Sequence, residues 1–270
     1  SRLLRNDSSR ACREIAETPD LVYDYTNKWN TVAVVSDGSR VLGLGDIGPK
    51  AGLPVMEGKA LLYKFLGGVD AVPIMLDSED PDEIIRTVLL LQPTFGGINL
   101  EDISQPKCFR ILETLREKAE IPVWHDDQQG TATVTLAGFL NALQVTGRAI
   151  EDAKIAFIGA GAANVACMRL IFGRGADPKK ALVVDSRGIL GTHREDLARR
   201  RTEYPEKWHL CEITNPDGRS GGIPEALTGA DAVISLAEPG PGTIKEEWIA
   251  GMAPKAIVFA CANPIPEIWP

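Results

Sequence analysis

The stretch KIAFIGAGAANVACMRLIFGRGA, residues 154–176, decides the fold that we predict for this chain. It reads as a short apolar strand, a glycine turn and a helix. Gly159 permits the tight turn, and Gly161 leaves room for a pyrophosphate to approach the backbone. The N–H groups and the dipole at the start of the helix then face the phosphates. The pattern predicts a dinucleotide site, with Ala162 and Ala163 opening the helix.

The rest of the nucleotide pattern is less regular. Asn164 stands where a third glycine usually allows close packing of helix and strand. Asp185 ends the next predicted strand, 181–186, and suits a carboxylate that accepts hydrogen bonds from the adenosine ribose. A carboxylate there favours NAD over NADP, but Arg187 offers a partner for a 2′-phosphate, so both cofactors stay open. The alternative interpretation of the glycine pattern is a bare structural turn.

Alternating strand and helix patterns run along the chain and predict an α/β fold. In the first half, we expect strands at 30–38, 71–76 and 96–102 and helices at 54–68, 80–92 and 106–120. In the second half, the runs 230–237 and 256–263 are nearly continuously apolar, as in parallel strands covered on both faces. We therefore predict an N-terminal α/β catalytic domain over residues 1–129 and a C-terminal Rossmann-type, doubly wound parallel-sheet NAD(P)-binding domain over residues 130–270.

One long polar segment, residues 186–223, has no clear periodicity, and we interpret it as an irregular surface excursion. His193 and His209 lie within it. We expect both histidines to be solvated or incidental.

Composition excludes several classes of function. The formal charge of −8 argues against nucleic acid as a main partner, since phosphate binding needs an excess of Lys and Arg. No run reaches the length of apolar residues that a membrane span needs. The first residues are charged and do not resemble a secretory signal. The five cysteines are widely spaced without a C-x-x-C motif, which predicts reduced, mostly buried thiols in a cytoplasmic protein.

Two pairs of adjacent acids follow predicted strands. Glu101 and Asp102 end the strand 95–102, and Asp126 and Asp127 follow the apolar residues of VWHDDQQG. Because the carboxyl ends of parallel strands converge on one edge, four carboxylates there repel one another unless a cation is bound. Their hard oxygen ligands select Mg²⁺ or Mn²⁺. The alternative is that each pair caps the helix that follows it.

Lys59 is a charged residue inside an otherwise apolar helical pattern. If it is buried, its pKa falls and it becomes a usable base near neutral pH. Spacing alone favours the alternative, a surface lysine whose stem covers apolar neighbours while its ammonium group stays in water.

These motifs together resemble the malic enzyme family. The resemblance covers nearly the whole chain from about Arg10, in the style of the small bacterial and archaeal branch. It rests on the long segment from Tyr25 to Ile74 and on PTFGGINLEDISQPKCFRI, PVWHDDQQGTATVTLAGFLNAL, GAGAA and FACANPIPEI. The resemblance implies oxidative decarboxylation of L-malate to pyruvate and CO₂, with NAD⁺ or NADP⁺ as the hydride acceptor and Mg²⁺ or Mn²⁺ as the metal.

The resemblance also implies residue roles. It assigns three metal ligands, Glu101, Asp102 and Asp127. Asp126 is implied to be a neighbouring or catalytic carboxylate, and Lys59 the general base that takes the malate hydroxyl proton. Arg40 is implied to bind a substrate carboxylate, and Asn263 to contact substrate or nicotinamide. A homodimer or a higher homo-oligomer is implied as well.

The chain departs from the family pattern at both ends. The family uses a tyrosine as the acid that protonates the enolate of pyruvate, and Leu4 occupies that position here. Tyr23 and Tyr25 are poor substitutes by position. The chain stops at Pro270, earlier than the family pattern, so we expect either a truncated piece of a working enzyme or a degenerate homologue.

Three functional hypotheses follow. The first is a metal-dependent and NAD(P)-dependent malate oxidoreductase. The second is a catalytically impaired homologue that binds NAD and a C4 acid as a sensor. The third is another dehydrogenase on the same scaffold, for example for an amino acid. It ranks last because it gives no reason for the four carboxylates.

Overall fold

The structure is a computed structural model that describes residues 8–270. These residues divide into two compact units. The N-terminal unit runs to Ile103 and includes Lys107–His125. The C-terminal unit comprises Ser104–Pro106 and Asp126–Pro270.

The N-terminal unit is built on a parallel sheet. Its strands are β1 (Thr31–Ser36), β2 (Asp70–Met75), β3 (Gly97–Leu100) and β4 (Val123–His125). Its helices are α1 (Ser8–Glu17), α2 (Val22–Tyr25), α3 (Gly48–Gly67), α4 (Pro81–Leu91) and α5 (Lys107–Lys118), with 3₁₀ turns at Pro19–Leu21 and Asn27–Asn30. The strand order is β2-β1-β3-β4. Each parallel connection carries a helix, so the carboxyl ends of the strands share one edge.

Local sequence explains these elements. All four residues of β3 are buried, as are the last four of β1, because the sheet centre is shielded on both faces. The predicted start of α4 is confirmed: Asp80 is the N-cap, and its Oδ1 accepts a hydrogen bond of 2.8 Å from the Asp82 N–H. Pro81 occupies the first helical position, where its missing N–H costs nothing.

The predicted helix 54–68 was too short at its start. The observed helix α3 begins at Gly48, with Pro49 in its first turn, and it accommodates Pro54 in its interior. Proline marks a helix start by preference, and here the earlier of the two prolines marks it. The helix ends at Gly67, and Gly68, with a φ of 68°, forms the left-handed C-cap.

The C-terminal unit begins with a π-helix at Asp126–Gly130 and α6 (Thr131–Thr146). Its strands are β5 (Ile155–Ile158), β6 (Ala181–Asp185), β7 (Gly188–Ile189), β8 (Ala232–Ser235) and β9 (Ile257–Ala260). Its other helices are α7 (Ala162–Gly173), α8 (Glu195–Arg199), α9 (Pro205–Ile213), α10 (Ile223–Leu227) and α11 (Glu246–Ile249), with a 3₁₀ turn at Pro178–Lys180.

The sheet of the C-terminal unit has the order β7-β6-β5-β8-β9. Its pairs are parallel except for the two-residue β7, which is antiparallel to β6. The order runs outward in both directions from β5, so the strand order reverses between β5 and β8. In doubly wound sheets this reversal is where ligands bind, at the carboxyl ends of the strands. The predicted fold class, an α/β chain with a Rossmann-type parallel sheet, is confirmed.

The prediction of an irregular surface excursion over 186–223 was wrong. The segment holds the edge strand β7 and helices α8, α9 and the start of α10. It also contributes buried apolar side chains, Ile189, Leu190, Leu197, Leu210 and Cys211. Those residues are too widely spaced to give a periodic signal. His193 and His209 are exposed, as expected.

Within residues 8–270, no helix combines the length and the apolar character that a bilayer span requires. All five cysteines are free, in agreement with the expectation of reduced thiols. Three of them are buried: Cys108, Cys167 and Cys211.

Candidate catalytic edge and nucleotide site

A buried acid at the carboxyl end of β3 is paired with the lysine of α3. Glu101 directly follows β3, and its side chain is 7% exposed. Lys59 Nζ lies 3.0 Å from Glu101 Oε1, and the lysine side chain is 23% exposed. Lys59 is therefore directed at the sheet edge, and the interpretation of a solvated surface lysine is wrong.

Two residues that the sequence did not single out support the second oxygen of Glu101, one by a direct hydrogen bond and one through the first residue. Asn99 on β3 is 1% exposed and donates from Nδ2 to Glu101 Oε2 at 2.7 Å. Tyr63, one turn after Lys59 on α3, donates its hydroxyl to Asn99 Oδ1 at 2.9 Å. Both oxygens of Glu101 are thus fixed by side chains, which orients the carboxylate within the edge.

Asp102 and Arg40 are connected through the backbone. Asp102 is buried and has a φ of 53°, a left-handed conformation that is uncommon for residues other than glycine. Its carbonyl oxygen accepts a hydrogen bond of 3.1 Å from the Arg40 N–H. The Arg40 side chain is exposed. Local strain of this kind persists where the surroundings fix the backbone, and it concentrates at functional sites.

A buried ion pair supports the loop that carries Arg40. Asp37 Oδ1 accepts hydrogen bonds from the N–H and the hydroxyl of Ser39, at 3.0 and 2.6 Å. Lys107 Nζ lies 2.8 Å from Asp37 Oδ2 and 2.8 Å from Glu79 Oε2. Burial opposes charge on Lys107, but hydrogen bonds to Asp37 and Glu79 outweigh it, so the pKa of Lys107 is raised. The spacing of these residues along the chain gave no signal for this cluster.

The second acidic pair lies in a π-helix. Asp126 and Asp127 form the first turn of the π-helix, and both are half-buried. A Cβ added to Gly130 would overlap Asp126 Oδ1, so the Asp126 side chain folds back over this glycine. The π-helix packs against α6 and against α7, the helix that follows the glycine turn. Such π-helical turns are rare in proteins overall, but those that occur lie frequently at functional sites.

The two acidic pairs relate differently to the helices that follow them. Helix α5 begins at Lys107, well after Asp102, so the capping interpretation is wrong for the first pair. The second pair is in the first helical turn, where negative charge is favourable. Position alone therefore accounts for the second pair and leaves the buried Glu101 and Asp102 without a capping role.

The chemistry of the edge suits a hard divalent cation. Leu100 pairs with His125 in the β3–β4 register, so Glu101 and Asp102 follow β3 at the strand end that neighbours β4. Carboxylate oxygens are the ligands that Mg²⁺ and Mn²⁺ prefer. Burial makes the negative charge of an acid costly unless a cation lies nearby, and Lys59 already supplies one beside Glu101.

The glycine turn of the C-terminal unit follows β5. Gly159 has a φ of 95°, its N–H donates to the Val184 carbonyl at 2.8 Å, and an added Cβ would overlap the Leu236 carbonyl oxygen. Gly161 is the N-cap of α7, and a Cβ there would meet no atom within 4 Å. Gly159 is therefore required by the turn, whereas Gly161 borders open space, as an approaching pyrophosphate needs.

Asn164 replaces the missing third glycine by hydrogen bonding. It is fully buried, and its Nδ2 donates to the Ile158 carbonyl at 3.0 Å and to the Gly159 carbonyl at 2.8 Å. The amide thus ties α7 to the end of β5 and to the turn. The departure from the usual glycine pattern is structurally compensated in this chain.

The other predicted coenzyme contacts lie on two segments of the C-terminal unit. Ala162 and Ala163 form the first turn of α7 and are half-buried. Gly161 supplies no side-chain acceptor to the first-turn N–H groups, the arrangement found where helix starts bind anions. Asn263 is exposed in the turn that follows β9.

A buried glutamate that the sequence did not single out fixes the loops beyond β8 and β9. Glu267 is fully buried. Its Oε1 accepts hydrogen bonds from the Ser235 hydroxyl at 2.7 Å and the Ala237 N–H at 2.9 Å. Its Oε2 accepts one from the Ala262 N–H at 3.0 Å. Glu267 therefore positions the backbone beside Gly159 and the turn that carries Asn263.

Asp185 ends β6, as predicted, but it is already engaged in an ion pair. Arg194 donates from Nη1 to Asp185 Oδ1 at 2.9 Å and from Nη2 to Asp185 Oδ2 at 3.3 Å. The same guanidinium holds Asp196. Hydrogen bonding to Arg194 holds the pKa of Asp196 far below its usual range. Arg194 lies in the segment 186–223, which is why the sequence gave no reason to connect it with Asp185.

Fold and site together define an α/β dinucleotide-binding protein with a lysine-and-carboxylate edge in its N-terminal unit. The family description "Malic enzyme, N-terminal domain" matches residues 8–116, and "Malic enzyme, NAD binding domain" matches residues 128–268. The chain belongs to the malic enzyme family, which confirms the resemblance seen in the sequence.

Individual relatives agree with this membership. The chain is 48% identical over its whole length to an NAD-dependent malic enzyme of Geobacillus stearothermophilus, covering 54% of that protein. It is 46% identical to an NADP-dependent malic enzyme of Halomonas elongata over 96% of the chain and 58% of the relative. A crystal structure of Entamoeba histolytica malic enzyme superposes with a TM-score of 0.91 at 54% identity, over 97% of this chain and 55% of that one.

The chain therefore spans little more than half the length of these two curated relatives. The Leu4 position, where the family carries its tyrosine acid, lies outside the described residues.

Proposed function

We propose that the chain carries the catalytic residues of a divalent-metal-dependent malate oxidoreductase that decarboxylates L-malate to pyruvate and CO₂ and reduces NAD⁺ or NADP⁺. The observation that carries the proposal is the Lys59–Glu101 ion pair of 3.0 Å at the carboxyl end of β3. It joins the proposed base to a proposed metal ligand. The glycine turn after β5 and family membership support the coenzyme.

The proposed residue roles use hard carboxylate donors and one amine. Metal binding is proposed for three residues, Glu101, Asp102 and Asp127. A divalent cation held by these residues would act as a Lewis acid on malate. Lys59 is proposed to take the proton of the malate C2 hydroxyl, and a bound NAD⁺ or NADP⁺ would accept the hydride from C2. Loss of CO₂ then leaves the enolate of pyruvate, which must be protonated at C3.

Substrate and coenzyme are held by residues at the strand ends. Arg40 is proposed to pair with a malate carboxylate, and its loop is supported by the Asp37–Lys107 pair. Asp126 is proposed as a neighbouring or catalytic carboxylate, since it precedes the proposed ligand Asp127 in the first turn of the π-helix. Asn263 is proposed to contact substrate or nicotinamide. We also propose Gly130 as the boundary between the two functional domains.

The decisive experiment mixes the protein with L-malate, Mn²⁺ and either NAD⁺ or NADP⁺ and follows absorbance of the reduced coenzyme. Lys59→Met is expected to lower kcat by about a thousandfold, the usual contribution of a general base. Lys64→Met is the matched control, since Lys64 lies on the same helix and pairs with the exposed Asp70. Equal activity of the two variants would contradict the role of Lys59.

Metal binding gives a second readout that does not depend on turnover. Asp102→Asn is expected to weaken Mn²⁺ binding by about tenfold or more in calorimetry, because it removes one anionic ligand. Lys59→Met is expected to keep or strengthen Mn²⁺ binding, since it removes a cation that competes for Glu101. Unchanged Mn²⁺ affinity in Asp102→Asn would exclude it as a ligand.

A second candidate function follows from Leu4 in the acid position: a homologue that binds coenzyme and a C4 acid without turnover. In that case NAD⁺ and malate raise the melting temperature while no reduced coenzyme or CO₂ forms. Gain of turnover by Leu4→Tyr would identify the missing acid as the cause. Activity of the unchanged chain would exclude this candidate.

We propose a homodimer or higher homo-oligomer as the working form. The outer face of α3 supports it, since Leu61, Phe65 and Leu66 are 66%, 81% and 76% exposed. Apolar side chains so exposed and so close together are typical of an interface. Light scattering on a sizing column tests this, and a monomer at micromolar concentration would contradict it.

A further inference from the structure

A pocket lies at the amino ends of the central strands of the C-terminal sheet. Its volume of about 320 Å³ is large enough for a small molecule. Residues that lie just before strands line it: Lys154 before β5, Lys180 before β6 and Ala230 before β8. Because these strands are parallel, this edge of the sheet is opposite the edge that carries the glycine turn. Strand β5 has four residues, so about 13 Å of strand separates the pocket from that turn.

The charged residues that line the pocket are mostly basic. They are Lys154, Lys179, Lys180 and Arg219, with Asp217 as the one acid among the lining residues. Lys180 is already paired, since its Nζ lies 2.9 Å from Asp152 Oδ1. Lys154 and Lys179 are exposed, and within residues 8–270 neither forms an ion pair through its side chain. The pocket therefore has an excess of positive charge, although the chain as a whole has a formal charge of −8.

A hydrogen-bonded loop after α9 presents the arginine of the pocket. Asn215 is 5% exposed, and its Nδ2 donates to the Leu190 carbonyl at 2.9 Å and to the Arg219 carbonyl at 2.8 Å. Its Oδ1 accepts a hydrogen bond of 2.8 Å from the Arg219 N–H. The Arg219 guanidinium donates from Nη2 to the Glu225 carbonyl at 2.6 Å. One buried amide thus closes the loop, and the guanidinium is held by the backbone, so less ordering is needed when an anion binds.

The kinds of cation in this pocket suit phosphate groups. Lysine binds phosphate as a point charge, and arginine offers several N–H groups in a plane that matches the phosphate oxygens. A local excess of positive charge in an acidic protein also attracts anions to this surface. A diphosphate places more negative charge in a smaller volume than a dicarboxylate does, so it matches several neighbouring cations better.

We propose that this pocket is a second small-molecule site, separate from the coenzyme site, and that it binds a compact anion with two phosphate groups. Lys154 and Lys179 neutralise the phosphate charge, and Arg219 donates N–H groups to one phosphate. The anion connects the residue before β5, the turn before β6 and the loop after α9. Because it binds the folded unit only, it also raises the melting temperature of the chain.

The test uses inorganic pyrophosphate as the ligand, without malate or metal and at low ionic strength, where charge attraction is least screened. Calorimetry compares its dissociation constant with that of succinate, a dicarboxylate, at the same ionic strength. Pyrophosphate is expected to bind at least about tenfold more tightly, also when NAD⁺ or NADP⁺ is present in excess. Equal affinity for succinate would overturn the phosphate preference. Displacement of pyrophosphate by either coenzyme would assign the anion to the glycine turn and overturn the second site.

Variants of exposed residues locate the binding. Lys154→Gln/Lys179→Gln is expected to weaken pyrophosphate at least about tenfold, whereas Lys154→Arg/Lys179→Arg keeps the charge and should stay within about threefold of the unchanged chain. The matched control is Arg199→Gln/Lys245→Gln, which removes two exposed positive charges of the same unit outside the pocket.

Equal weakening by the control and by Lys154→Gln/Lys179→Gln would reduce the effect to overall charge and overturn the proposal. Failure of pyrophosphate to bind at all would overturn it as well. Binding of NAD⁺ in the same titrations is measured separately, so the proposed coenzyme function stands or falls on its own result.

Discussion

The carboxyl edge of β3 and the glycine turn after β5 are both ends of parallel strands, but they are built in opposite ways. At β3 the site consists of side chains held by other side chains: Lys59 and Asn99 fix the two oxygens of Glu101. At β5 the site consists of backbone, with Gly159 in a left-handed conformation and Gly161 beside open space.

The difference follows from what each region would bind. A small divalent cation and a small acid need a few charged groups at fixed distances, which only side chains supply. A pyrophosphate needs close approach to many N–H groups, which the backbone supplies once side chains are absent. The first region should therefore be sensitive to the loss of a side chain, and the second to the gain of one.

Gly159→Ala is expected to have the largest effect, because it adds a side chain to the backbone region. The φ of 95° is unfavourable for alanine, and the new Cβ overlaps the Leu236 carbonyl oxygen. We expect a loss of about 4 kcal/mol in the free energy of unfolding, measured by urea denaturation. Coenzyme binding in calorimetry should be lost as well.

Gly161→Ala is the matched control. Gly161 has a φ of −82°, which alanine adopts readily, and its Cβ would meet no atom. The free energy of unfolding is expected to fall by less than about 1 kcal/mol, while NAD⁺ affinity still drops. Equal destabilisation by both substitutions would contradict the distinction between a glycine required by the turn and one required by the ligand.

Glu267 sharpens the comparison because it is a single side chain that holds the backbone region together. Glu267→Ala leaves three donors without their acceptor, the buried hydroxyl of Ser235 and the part-buried N–H groups of Ala237 and Ala262. We expect a loss of about 3 kcal/mol in the free energy of unfolding. Glu267→Gln keeps the shape and one acceptor oxygen, so its loss should be about half as large. Similar values for both variants in urea denaturation would show that packing, not hydrogen bonding, is the role of Glu267.

Local signals predicted much of both regions. The G-x-G pattern followed by a helix gave the glycine turn, and two acidic pairs after apolar runs gave the strand ends. These signals work because a tight turn and a strand end depend on neighbouring residues in sequence. The helix start at Asp80-Pro81 was predictable for the same reason.

The partners of these residues were not predictable, because they come from distant parts of the chain. Asn99 reads as an ordinary strand residue, and only the packing of α3 brings Tyr63 to its amide. Arg194 lies in a segment without hydrophobic periodicity. The short strand and helices of that segment are held by scattered apolar side chains. Glu267 stood inside a quoted motif, but its three donors are set by loop geometry.

Asn99→Ala tests the side-chain region by deletion. It removes the donor to Glu101 Oε2 and the acceptor of the Tyr63 hydroxyl. We expect a loss of about 2 kcal/mol in the free energy of unfolding, together with weaker Mn²⁺ binding in calorimetry because Glu101 is free to turn.

Tyr63→Phe is the graded control for Asn99→Ala, since it removes only the outer hydrogen bond. A loss of about 1 kcal/mol is expected, with Mn²⁺ affinity unchanged. If Asn99→Ala alters stability but not Mn²⁺ affinity, the network supports the fold and does not orient a metal ligand.

The smallest expected effect concerns Cys167, a residue of α7, the helix that follows the glycine turn. It is fully buried in α7, and burial raises the pKa of its thiol from 9.0 to about 11, although a hydrogen bond with Thr135 opposes the shift. The protonated thiol therefore stabilises the fold below pH 9, and this contribution is lost as the pH rises toward 11, because the unfolded chain ionises first. Between about pH 8 and pH 10, the unchanged chain should lose about 1 kcal/mol more stability than Cys167→Ala. If the free energies of unfolding of the unchanged chain and of Cys167→Ala fall in parallel with pH, the contradicting conclusion follows. The interior around Cys167 then accepts a charged group as readily as the β3 edge does.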